Sequence, residues 1–144
     1  MIFLGADHGG FELKNKVKKW LEEWEEEYQD LGNKEYDQED DYPDFAVAVA
    51  KEVAKGGNRG ILFCRSAAGM VITANKIADV RAVAAFDQAS ARHSREHNDA
   101  NILVLSGDWL DDEKAQTIVE TWLNTKFTQE ERHVRRLNKI KEIE

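Results

Sequence analysis

The chain has a single cysteine, a single proline and two methionines in 144 residues. One thiol cannot form an internal disulfide, so stability must come from an apolar core, which a chain of this length can bury. A lone reduced thiol also suits a reducing compartment. Long apolar runs are missing too: no stretch approaches the roughly 20 residues that a membrane span needs. Met1-Ile2-Phe3-Leu4-Gly5-Ala6-Asp7-His8 has no basic region and meets charge at Asp7, unlike a signal peptide. The sequence therefore reads as cytoplasmic, with no membrane partner.

A basic excess is absent as well. Asp and Glu number 28 against 20 Lys and Arg, a formal charge of -8, where a general nucleic-acid binder would carry a basic face. Glu22 to Asp41 is strongly acidic, and Lys126 to Lys141 gathers Lys126, Arg132, Arg135, Arg136, Lys139 and Lys141. Both runs read first as solvated faces. Metal-ligand spacing is not evident: His93 and His97 are four apart, but Arg92 and Arg95 beside them oppose a dication. No metal and no other cofactor is expected. With no repeat, linker or low-complexity segment, residues 1–144 read as one domain.

What is present is an alternation of two periods. Ile2 to Gly5, Gly60 to Cys64, Val80 to Ala85 and Asn101 to Leu105 are apolar runs of strand length, with a weaker one near Tyr28 to Leu31. Between them, Leu13, Val17, Trp20, Leu21 and Trp24 recur at helical spacing, and Pro43 suits the first turn of a helix through Lys55. Further helices are predicted near 69–77, 87–97, 111–124 and 128–140, the last a basic terminal arm lacking an obvious apolar home. Trp20, Trp24, Trp109 and Trp122 are candidates for core. This β-α order predicts an α/β fold, a three-layer α/β/α Rossmann-like arrangement with a five-stranded parallel sheet and a C-terminal helical arm.

Such sheets bind ligands at the carboxyl ends of their strands. There the first strand presents Asp7, His8, Gly9 and Gly10, and the third Cys64, Arg65 and Ser66. A free cysteine alone is most often a small buried hydrophobe; its sharing a rim with an acid and an imidazole points to chemistry. The segment Cys64 to Gly69 leads into a helix, whose N-terminal N–H groups favour an anion and are expected to lower the thiol pKa from about 8.5. A cysteine phosphatase would need an arginine six residues after the cysteine, where Met70 stands. His97 and Asn98 end a helix, and Arg132 and Arg136, four apart, share one helix face able to grip a phosphate.

Gly5-Ala6-Asp7-His8-Gly9-Gly10-Phe11-Glu12-Leu13-Lys14, Asp41-Tyr42-Pro43, Ala74-Asn75-Lys76, Val80-Arg81-Ala82, His97-Asn98-Asp99-Ala100-Asn101 and Arg132-His133 with Arg136 together resemble the ribose-5-phosphate isomerase B / galactose-6-phosphate isomerase family, in order and over nearly the whole chain. The resemblance implies metal-free aldose–ketose isomerisation of a phosphorylated sugar, most directly ribose 5-phosphate to ribulose 5-phosphate. It implies a homodimer or dimer of dimers whose clefts draw on two subunits. Carried over, Cys64 is the base, Ser66 and the N–H groups through Gly69 hold the enediolate, His97 assists ring opening and Asp7 handles hydroxyls. His8, Arg132 and Arg136 bind phosphate. Asn98, Tyr42, Arg65, Ala67, Ala68 and Gly69 line the substrate. Preorganised oxyanion donors are worth about 3–4 kcal/mol apiece, and a matched base roughly 100- to 10,000-fold.

The pattern also breaks. The family's loop usually reads C-G-T-G-x-G; here Arg65 and Ala67 replace glycines, with strain expected if either needs a positive φ. Where some members place a glutamate base, this chain has Met70. Where the family often has arginine after the last strand, it has Asp108, and Glu130-Glu131 replaces a glycine pair. These departures leave two alternatives: a six-carbon sugar phosphate as substrate, or a sugar-phosphate-binding protein of the same fold with little or no turnover.

Overall fold

The computed structural model describes all 144 residues. Five parallel strands, β1 (Ile2–Ala6), β2 (Tyr28–Asp30), β3 (Arg59–Cys64), β4 (Ala82–Ala84) and β5 (Ile102–Ser106), lie in the order β2-β1-β3-β5-β4. The register pairs Leu4 with Ile61 and Ile61 with Leu103. Because a strand turns successive side chains to opposite faces, Ile2, Leu4, Ala6, Ile61, Phe63, Leu103 and Leu105 point one way. They meet Leu13, Val17 and Leu21 of α1 (Phe11–Glu23) and Ile118, Val119 and Trp122 of α5 (Asp112–Asn124). Phe3, Leu62, Cys64, Ile102 and Val104 point the other way, onto α2 (Tyr42–Ala54) and α3 (Ala68–Ala74). Strands covered on both faces read as unbroken apolar runs, and this gives the three layers.

Local signals fix the helix ends. Pro43 sits in the first turn of α2. Asp87 and Ser90 form a reciprocal capping box at α4 (Gln88–Asn98), and Asp111 accepts from the Lys114 N–H at α5. The strand expected over Val80 to Ala85 pairs only across Ala82–Ala84. On its free edge the Asn75 carboxamide bonds both the N–H and the C=O of Ala82, at 2.8 and 2.9 Å, standing in for a sixth strand.

The terminal helix α6 (Glu131–Lys141) starts three residues later than the expected 128 and has a home on its own chain: His133 is buried against α4. Of the four tryptophans, Trp122 is fully buried and Trp20 and Trp24 pack on the core, whereas Trp109 is 66% exposed, so it is not core. No helix is long and apolar enough to cross a membrane.

Candidate active site

From β1 the chain runs through α1 to the β2 edge, and from β3 it runs the opposite way, towards β4. The crevice between the carboxyl ends of β1 and β3 is therefore the switch point where parallel sheets bind ligands. Asp7 lies there, 5% exposed, its Oδ1 accepting the N–H groups of Gly9 (2.9 Å) and Gly10 (3.2 Å). Burial raises its carboxyl pKa, while His8 and the two N–H groups pull it down. A Cβ on Gly10 would fall 2.3 Å from the Phe63 carbonyl carbon, so only glycine lets α1 start this close to β3.

Cys64 ends β3 and is buried among Ala46, Ala67 and Met70 on the α2/α3 face. The expected lowering of its pKa is not what this environment produces. Burial pushes the thiol up, ahead of the opposing pull of the Met70, Ala67 and Ser66 backbone N–H groups, and Asp7 pushes it further up. The helix field foreseen from sequence is present, but desolvation outweighs it. Of the two positions that replace glycines, Ala67 adopts the left-handed conformation (φ 74°) and Arg65 does not. Ser66 is half-buried beside them. Tyr42 covers Gly69: a Cβ there would lie 2.4 Å from the tyrosine ring.

Two of the charged departures from the family pattern meet each other. The Arg65 guanidinium lies 3.4 Å from both Asp108 carboxylate oxygens, and its stem covers Gly9, where a Cβ would sit 2.4 Å from Arg65 Cγ. Beneath the pair, Gly107 N–H bonds the Cys64 carbonyl (2.8 Å), Asp108 N–H bonds that of Arg65 (3.3 Å), and Ser106 Oγ donates to the same Arg65 carbonyl. Loops after β1, β3 and β5 are thus tied into one rim.

Sequence reading missed Asp40. Its acidic neighbourhood looked solvated, yet its side chain is only 6% exposed. Oδ1 accepts the His8 backbone N–H (3.0 Å) and lies 2.7 Å from His8 Nδ1, and Oδ2 accepts from Asn33 Nδ2 (3.2 Å). Asp30, in the same acidic run, holds the buried Lys14 ammonium at 2.9 Å. Ligand atoms of Asp7, His8 and Asp40 lie within 4.8 Å of one another. The hydrogen bonds just named account for that cluster: it is a network of N–H groups and carboxylates holding a loop. The only sequence signal for Asp40 was its place just before Asp41-Tyr42-Pro43.

His97, Asn98, Arg132 and Arg136 are elsewhere. Asn101, three residues beyond Asn98, bonds Gly60 at the amino end of β3 (2.9 Å), and Cys64 is four strand residues further on, about 13 Å at 3.3 Å per residue. One chain does not bring the two groups together. At this opposite end His97 lies between His93 and His133, tilted against the first and stacked on the second, with ring centroids 4.1 and 4.3 Å away. Partial burial, with His93, His133 and Arg132, holds its pKa below the ordinary imidazole value against Glu96. Arg132 and Arg136 are exposed on α6.

The family described as Ribose/Galactose Isomerase matches residues 2–140. The ribose-5-phosphate isomerase B of Mycobacterium tuberculosis is 36% identical over 99% of this chain and 89% of its own length. Among solved structures, Clostridium thermocellum ribose-5-phosphate isomerase B superposes with a TM-score of 0.94 at 41% identity, covering 99% of this chain and 95% of the other. The Mycoplasma genitalium enzyme with bound ribulose-5-phosphate gives 0.95 at 36%, covering 99% and 94%. Matching fold, sequence and motif order together, the chain belongs to the ribose/galactose isomerase family.

Proposed function

We propose that this protein is a metal-independent aldose–ketose isomerase of phosphorylated sugars, interconverting ribose 5-phosphate and ribulose 5-phosphate through an enediolate. Family membership supports the reaction type, and the ribulose-5-phosphate bound to the Mycoplasma genitalium relative supports the substrate. The observation that carries the mechanism is the placement of Cys64 at the carboxyl end of β3, at the switch point with Asp7, where the Ser66, Ala67 and Met70 N–H groups favour its thiolate.

In the open-chain sugar, the Cys64 thiolate removes the C2 proton. The C–H electron pair forms the C1–C2 double bond, and the C1 carbonyl oxygen becomes the oxyanion that Ser66 and the loop N–H groups through Gly69 stabilise. The C2 hydroxyl proton passes to the C1 oxyanion, and as the C2 carbonyl forms the C1–C2 double-bond pair takes the proton back from the thiol onto C1, restoring the thiolate. A thiol held high by burial is a strong base once ionised. Asp7 handles hydroxyls, His8 contacts phosphate, and Tyr42, Arg65, Ala67 and Ala68 line the sugar.

His97, Asn98, Arg132 and Arg136 enter from a second copy. Their distance along β3 from Cys64 and the exposure of both arginines support a shared cleft in a homodimer or dimer of dimers. There the arginines would meet phosphate, bring positive charge towards the thiolate and leave His97 to assist ring opening. The protein acts as one domain in the cytoplasm.

A second reading, a phosphosugar-binding protein with little turnover, draws on the raised Cys64 pKa and the left-handed Ala67. Incubation with ribose 5-phosphate in D2O separates the two. Deuterium is expected at C2 of the aldose or C1 of the ketose. Cys64→Ala should cut exchange at least about 100-fold while ribose 5-phosphate still raises its melting temperature. Exchange surviving in that variant removes Cys64 as the base. Exchange absent from the wild type, with binding intact, leaves the second reading. Allose and galactose 6-phosphates in the same assay define the sugar length.

A further inference from the structure

Asp40 lies outside every motif that suggested the site, yet it is the residue to which His8 is most firmly bound. A single oxygen, Oδ1, takes the His8 backbone N–H at 3.0 Å and lies 2.7 Å from the imidazole Nδ1. The other oxygen is held by Asn33 Nδ2 at 3.2 Å. Asn33 is itself anchored, its N–H bonding the Ala6 carbonyl at 2.8 Å and its carbonyl accepting from the buried Lys14 ammonium. A chain of contacts therefore runs from the core of α1, through the loop after β2, to the imidazole at the end of β1.

We propose that Asp40 is a positioning residue of the active site, fixing the tautomer and ring orientation of His8 so that Nε2 is the atom left free for the substrate, a donor to a phosphate oxygen in the imidazolium ring and an acceptor from a substrate hydroxyl in the neutral one. The argument is one of valence. A carboxylate only accepts hydrogen bonds. Asp40 is ionised here: although burial pushes its pKa up, the His8 side chain and backbone and the Asn33 carboxamide together hold it below the ordinary carboxylate value. Nδ1 at 2.7 Å must therefore carry the proton. Nε2, across the ring, is turned away from Asp40, on a side chain that is still 21% exposed. The Tyr36 ring meets the imidazole edge-on at 6.5 Å and restrains it from a second side. Rotating His8 would strand Oδ1 without its Nδ1 donor, so the ring is held before any ligand arrives. Carboxylates that orient a metal-bound imidazole matter by about 10- to 100-fold when removed, and the lower end of that range is the effect expected for a metal-free one.

The inference rests on the reading of His8 as a phosphate contact, and the test separates the two. In the 15N spectrum of free wild-type protein at alkaline pH, His8 should show a protonated Nδ1. In Asp40→Ala that signal should move towards the Nε2–H form. KM for ribose 5-phosphate should rise about tenfold with kcat changed less than about threefold, and in a His8→Ala background Asp40→Ala should add nothing to KM. Asp40→Asn, which keeps an oxygen for the His8 backbone N–H, should hold the loop and melt within a few degrees of wild type. An unchanged His8 tautomer in Asp40→Ala overturns the proposal, as does an equal KM penalty with and without the imidazole, which would mark a loop brace only. If the wild type turns over no ribose 5-phosphate, the functional reading fails, and the 15N spectrum still decides the role of Asp40.

Discussion

The two ends of the sheet are built differently. At the carboxyl end, the loops after β3 and β5 are fastened to each other through backbone groups with Gly9 packed against Arg65, and Asp7, Cys64 and Asp40 are almost wholly withdrawn from water. At the amino end, Arg132 and Arg136 stand in solvent on a helix held to its own chain by buried His133, stacked on His97, and by Lys141 and Glu144 at Asp79. The first region is rigid enough to hold a reacting carbon and unfavourable for charge. The second is charged and open. A base and its oxyanion donors gain from preorganisation, whereas a phosphate grip can be delivered by docking. Under the proposed shared cleft, what one subunit lacks at its rim it carries at its far end.

Subunit mixing would break this comparison most dramatically. Cys64→Ala and Arg136→Ala proteins, each nearly inactive, should recover about a quarter of wild-type turnover after unfolding and refolding together, because half the symmetric dimers are mixed and each mixed dimer has one intact cleft. No recovery would mean that the two ends serve separate purposes. A smaller but still large effect is expected from Gly10→Ala. Its methyl meets Phe63 backbone at 2.3 Å, and backbone cannot step aside, so urea unfolding should record a loss at the upper end of the usual 1–3 kcal/mol for overpacking; a loss below about 0.5 kcal/mol would make the rim softer than described.

The pH dependence sharpens the contrast. Since burial raises the Cys64 pKa, the thiolate fraction, and with it kcat/KM, should climb with pH through the alkaline range. The same shift acts on stability. The folded chain binds that proton more tightly than the unfolded one, so the contribution is complete below the ordinary thiol value and is lost as pH rises through the raised one. Cys64→Ala should flatten that loss of melting temperature. The smallest effect belongs to Asp108→Ala: the pair with Arg65 is largely exposed, and its removal should cost under about 1 kcal/mol, read as a shift of a few degrees.

Much of this was readable from the residues alone. β1, β3 and β5 were legible because strands covered on both faces need unbroken apolar runs, and the rim followed from parallel topology. Elements that depend on partners distant in sequence were not legible. β4 is shorter than its apolar stretch because the Asn75 side chain takes over its outer edge. Asp40 is separated by 32 positions from the imidazole it holds, so in sequence it is one more acid in an acidic run. Proximity to a helix start suggested a lowered thiol pKa; only packing against α2 and α3 reveals that dehydration wins.

The Arg65–Asp108 contact has an evolutionary corollary. Relatives with the family's usual glycine in the loop and arginine after the last strand would carry one positive charge across these two positions, where Arg65 and Asp108 sum to zero. Converting Asp108 alone to arginine would set two guanidinium groups against each other, and deleting Arg65 alone would leave an acid facing an incoming dianion. The two sites are therefore expected to change together, and a graft of one loop alone between this chain and its relatives should be tolerated less well than a graft of both segments.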